Sequence, residues 1–217
     1  RSQTGQNLQI GFLPPIARQH TYRLPTLYVY ATQPNGEVGL QADAFIRLKP
    51  GTPWGGPYGT QINLNVAFIQ SLDTTARVDD KGYGSEFFSI GKRAYYRDMN
   101  IEIQRKFSQK VKGTLQYINL RYDRGPLLGF ARGEGQVDVN AVILDFTYTF
   151  NKKHSLRAEA QGMFVKEIEH ESDKDFRDWA MLMLEYNFSP YFFFVISDEY
   201  NYGNLNPDKR LHYYMVM

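Results

Sequence analysis

The sequence predicts an all-β fold: an antiparallel up-and-down transmembrane β-barrel with about ten strands in this chain, or one segment of a larger barrel. Three observations carry that prediction. Apolar and polar residues alternate over stretches of nine or more residues; strands of soluble domains average about five or six, whereas bilayer-crossing strands need roughly nine to eleven. Connections alternate between short and long. Aromatic residues gather beside both kinds of connection and leave aliphatic residues between them, as in an interfacial girdle.

Residues 1–19 lack a clear period and contain Pro14-Pro15, so they read as an irregular N-terminal segment or loop, with barrel strands over 20–217. The first strand is expected at about 20–31, followed by a tight turn at Pro34-Asn35-Gly36. The second, about 37–48, is the clearest. Val38, Leu40, Ala42, Ala44, Ile46 and Leu48 form one oily face, and Glu37, Asp43 and Arg47 stand on the other. A glycine-rich link at 50–59 leads to a third strand, about 60–71, with Ile62, Leu64 and Val66 opposite Asn63 and Asn65. The fourth, about 94–106, sets Met99, Ile101 and Ile103 against Asp98, Glu102 and Lys106. In the fifth, about 111–123, Leu115 and Tyr117 share one parity while Ile118, Leu120 and Tyr122 take the other, a switch that a β-bulge would explain. Strands at about 137–150, 154–168, 178–188 and 191–202 follow, and a tenth starts near Leu211.

Up-and-down connectivity puts every second link at the same end. The short turns near 107–110, 151–154 and 189–190 then share one end with 50–59, and the long links 72–93, 124–136, 169–177 and 203–210 share the other. Outer-membrane barrels have this asymmetry, with short periplasmic turns and long outer loops. Tyr58, Phe107, Phe150, Phe188, Tyr191 and Phe192 are expected to ring the short-turn end. Tyr28, Tyr30, Tyr95, Tyr96, Tyr122, Trp179, Tyr200 and Tyr202 are expected to ring the loop end.

Composition narrows the function classes. With no cysteine among 217 residues, disulfides and cysteine metal sites are excluded. A formal net charge of +2 gives no electrostatic case for a nucleic-acid partner. No apolar run approaches the roughly 20 residues of a membrane helix. Arg1-Ser2-Gln3 does not open a signal peptide, so an exported chain would be mature or a fragment. The strand that stops at Met217 points to one part of a larger barrel.

The polar parity supplies ten lumen-lining candidates: Glu37, Asp43, Arg47, Asp98, Glu102, Lys106, Arg157, Glu159, Glu185 and Glu199. Acid and base are mixed, which favours an ion-pair network that satisfies an interior over a strongly charge-selective path. The loop His170-Glu171-Ser172-Asp173-Lys174-Asp175 lacks the glycine spacing of a calcium loop and reads as solvated. His20, His154, His170 and His212 have no spacing that identifies a triad, and no phosphate-cradling glycine loop is present. No enzyme, metal or cofactor is predicted.

Two glycine-rich stretches carry a resemblance. Tyr30-Ala31-Thr32-Gln33-Pro34-Asn35-Gly36-Glu37 and Gly51-Thr52-Pro53-Trp54-Gly55-Gly56-Pro57-Tyr58-Gly59-Thr60, with Tyr95-Tyr96-Arg97-Asp98, resemble an uncharacterised family of outer-membrane β-barrel proteins of Bacteroidetes-type bacteria. The resemblance implies a barrel fold, a place in the bacterial outer membrane and chains longer than this one, and it brings no catalytic residues. The expected function is a porin-like barrel: a passive or partner-gated channel, or a structural component of an envelope assembly. The alternative is a barrel that binds a surface ligand or partner through its long outer loops. The expected partners are the lipid bilayer and other outer-membrane or periplasmic proteins.

Overall fold

The computed structural model describes residues 2–3, 9–10, 15–33, 36–76, 83–84, 89–125, 135–167 and 177–217. Its main sheet has nine strands in strict chain order: β1 (Glu37–Leu48), β2 (Thr60–Leu72), β3 (Ile90–Lys106), β4 (Val111–Asp123), β5 (Gln136–Thr149), β6 (His154–Glu167), β7 (Trp179–Phe188), β8 (Phe192–Tyr200) and β9 (His212–Val216). Every neighbouring pair is antiparallel. The fold is therefore an all-β, up-and-down sheet. It does not close on itself, since β1 and β9 each have one neighbour. The four links 49–59, 107–110, 150–153 and 189–191 lie at one end, as strict antiparallel order requires.

The strand expected over 20–31 is absent. Pro25–Tyr28 forms a 3-10 turn instead, and the surrounding chain lies against one face of the sheet. Proline at the turn's start has no N–H to give a strand ladder. Leu24, Tyr28 and Tyr30 are buried there, so their apolar surface is satisfied by the sheet's face and not by lipid. Of the expected Pro34-Asn35-Gly36 turn, only Gly36 is described; it has φ 88° and donates to the Gln33 carbonyl, and Pro34 and Asn35 lie outside the described residues.

Strand β4 also differs from expectation. It pairs with β3 and β5 without a register shift, so no bulge accounts for its change of phase. The irregularity lies between β2 and β3, around Ile69 and Gln70. Ile118, Leu120 and Tyr122 are apolar because they face the N-terminal segment, together with Val137, Val139 and Ala141 of β5. The covered parity of β4 is thus apolar near the long-loop end, while its oily parity is apolar farther toward the short turns, at Leu115 and Tyr117.

The register divides the sheet into an oily face and a covered face. Leu40 is 67% exposed, Leu182 65%, and Leu144 41%, all on the oily side. Near the long loops this face ends in a polar rim. There Arg121 donates to Asp138 at 2.8 Å and Asn119 to Asn140 at 2.9 Å. Near the short turns it carries exposed Phe107, Phe150, Tyr191 and Phe192, and Gly113 lies under the stacked rings of Phe107 and Phe146, where a Cβ would come within 2.7 Å of Phe146.

The expected aromatic ring at the loop end is largely absent. Tyr28, Tyr30, Tyr96 and Tyr122 are buried and pack ring against ring, edge-on for Tyr28–Tyr122 with centroids 5.4 Å apart and tilted for Tyr30–Tyr96 at 5.2 Å. Tyr96 and Tyr122 share the covered parity, which the sequence position beside a loop does not reveal.

Candidate functional site

All ten charged positions expected to share a face do so: the register carries them from β1 to β8 without crossing to the oily side. They do not form one cluster. On β1 to β3 a ladder of amides links the acids: Asn65 donates to Asp43 at 2.7 Å, and Asn100 donates to Asn65 at 3.1 Å and to Asp98 at 2.9 Å. Asn63 and Gln104 each donate to Glu102 at 2.7 Å. Side chains directly opposite in an antiparallel pair are close enough to make such rows.

On β5 to β7 the centre is Arg157. Its guanidinium donates to Asp145 at 3.0 Å and to Glu159, and lies 3.5 Å from Glu185. Glu159, 6% exposed, also accepts from Gln161 at 2.5 Å. Glu185 accepts from Asn187 at 2.6 Å. One fork of donors thus serves three carboxylates, a use of arginine that lysine's single ammonium does not match.

The N-terminal segment takes up most of the remaining polar groups. His20 Nε2 lies 2.7 Å from Asp98 Oδ2, with both side chains buried. The backbone N–H of Leu24 donates to Gln161 at 2.9 Å, and Arg23 donates to Glu199 at 2.8 Å. Tyr30 and the Gln33 backbone both donate to Glu37. Tyr22 donates to Asp145 at 3.4 Å. Burial first, then Asp145, Glu102 and Glu159, push its phenol well above the usual tyrosine range, so it remains a donor through mildly alkaline pH. Asp98, Glu37 and Glu199, expected as wall residues facing an interior, each bond to this segment.

Toward the short turns the covered face is open. A cavity of about 820 Å³ lies there, with Arg47, Lys106 and Arg157 among its walls. Lys106 and Lys112 stand directly opposite each other in the β3–β4 register. Tyr22, Asp145, Gln161 and Lys112 were not among the ten candidates, and His20 was considered only as a member of a triad. The odd parity of Asp145 and Gln161 was a usable signal, but the segment around Tyr22 gave none.

His170 and the loop to Asp175 lie outside the described residues. His212 Nδ1 is 2.8 Å from Asp198 Oδ2, and its ring stacks on Tyr200 at 4.1 Å. Ser197 alternates to the opposite face and is buried, so it does not complete a triad with that pair.

No curated protein and no solved structure matches the chain. One family model does match, over residues 1–217, and the chain belongs to that family, described as a family of unknown function (DUF6029).

Proposed function

We propose that this chain is a wall of a bacterial outer-membrane β-barrel, with its oily face in lipid and its covered face inward. Its role would be that of a partner-gated or structural member of an envelope assembly. One observation carries the reading: a continuous exposed apolar face runs across all the long strands, opposite a face that holds the charge. Exposed apolar surface of that extent marks a partner or a membrane.

Dimensions support lipid as the partner. Val38 to Leu48 is ten residue steps, about 33 Å at roughly 3.3 Å each, or about 25 Å along the normal at a tilt near 40°. An apolar band about 25 Å tall is what an outer-membrane barrel presents. The polar rim at Arg121–Asp138 and the aromatics near the short turns suit its two borders.

Strand count supports a wider wall than nine strands. In strict up-and-down order the first and ninth strands run the same way, so direct pairing of β1 with β9 would be parallel. Single-chain bacterial barrels have even strand numbers. An all-antiparallel closure here therefore requires an odd number of further strands between the two edges.

Lipid contact is testable by depth-dependent quenching. With Trp54 and Trp179 replaced by Phe, a Leu182→Trp variant in vesicles should lose most of its fluorescence to lipids brominated near mid-chain. A Thr147→Trp variant, on the covered face, should lose little. Equal quenching at both positions, or none at either, refutes the orientation.

A further inference from the structure

We propose that the short-turn half of the covered face is a binding site for a small multivalent anion: a solute that carries phosphate or carboxylate groups. The cavity there, about 820 Å³, is in the range of small-molecule sites. Lys106 and Lys112 face each other directly across β3 and β4. Like charges in that position repel. Arg47, on the same covered parity, lines the same space.

The single carboxylate among the lining residues is Asp145, and Arg157 already holds it at 3.0 Å. Among the described residues no carboxylate lies within ion-pair distance of Arg47, Lys106 or Lys112. The Lys106 ammonium rests 5.0 Å over the Tyr58 ring, a contact that holds the head group at the cavity and adds no negative charge. Gln104 and Thr114, opposite each other one row deeper, supply neutral polar groups beside the lysines.

The sequence shows mixed charge on this parity, but the fold sorts it by height. The acids sit beneath the N-terminal segment and around Arg157, and the unmatched cations collect at the short-turn mouth. The anion is a solute and not a lipid headgroup, because these side chains stand on the face opposite the apolar band. Multivalence follows from the number of cations that converge without a counter-charge.

The test is calorimetric titration of the full chain in neutral-detergent micelles with inorganic pyrophosphate, at ionic strength held constant with sodium chloride. One saturable site is expected. The double variant Lys106→Gln, Lys112→Gln should weaken it by about tenfold or more. The double variant Lys152→Gln, Lys153→Gln removes the same charge from the neighbouring 150–153 turn and should leave affinity within about twofold. All four lysines are exposed, so both variants keep the fold. Absence of saturable binding by the native chain overturns the proposal, and so does equal weakening by the two variants. The site lies within the nine strands and does not depend on closure or lipid. Failed quenching at Leu182→Trp would leave it standing, and failed pyrophosphate binding would leave the lipid orientation standing.

Discussion

Arg157 holds three carboxylates at once, so its removal has a calculable consequence. Arg157→Met keeps the aliphatic stem against its neighbours but leaves Asp145, Glu159 and Glu185 facing one another. Breaking a buried pair by deleting one partner costs about 3–5 kcal/mol. The guanidinium is 31% exposed, so the low end, about 3 kcal/mol, is expected. Arg23→Met is the natural comparison. Its side chain is 53% exposed beside Glu199, and pairs of that kind contribute about 0–1 kcal/mol. Urea unfolding in micelles should separate the two variants; equal losses would show that the Arg157 network carries no special weight. Single-residue placement was readable in advance because strand side chains alternate with period two. Glu159 and Arg157 could be assigned to one face from sequence alone. Their partners could not, since Asp145 meets Glu159 only through the register of β5 on β6.

The N-terminal segment is the element that sequence reasoning misplaced. Its Tyr22, Leu24, Tyr28 and Tyr30 share the even parity of an oily strand face, and nothing local says that this face meets protein instead of lipid. The contrary signal lay a hundred residues away. The inward parity of β4 and β5 is apolar from Ile118 to Tyr122 and from Val137 to Ala141, and an interior surface of that kind needs a cover. The cover's grip is testable. Tyr28 packs edge-on to Tyr122 at 5.4 Å and is buried. Tyr28→Ala should cost about 3–5 kcal/mol of docking energy. Local release of residues 15–33 should then appear as faster amide exchange there, while β5 and β6 keep native protection. Unchanged exchange over 15–33 would mean that His20–Asp98 and the backbone bond from Leu24 to Gln161 hold the segment without the tyrosine.

At the scale of the whole molecule, the two halves of the covered face differ in a way that, within the proposed barrel, favours a wall that would not conduct on its own. The loop-end half is closed by packed tyrosines and aliphatic side chains, with Leu24 and Tyr28 of the N-terminal segment at its centre. Ions do not pass such packing without its displacement, because a dry apolar constriction excludes them. The short-turn half is open and cationic, and reads as a vestibule that ends at the cover. Simple detachment of the segment would not produce an efficient pore either, since it would bare Ile118, Leu120, Val137 and Val139 to water at a cost of about 25 cal/mol per Å². In the barrel proposed above, opening at this wall would need a partner that takes over the exposed surface, which favours the partner-gated and structural roles over a passive channel. Planar bilayers test this directly. Preparations in which Leu182→Trp is quenched by brominated lipid, and which are therefore inserted, should show no steady conductance. Steady ohmic conductance from the same inserted chain would mean that the 15–33 segment does not seal the wall, and the passive-channel role would replace the gated one.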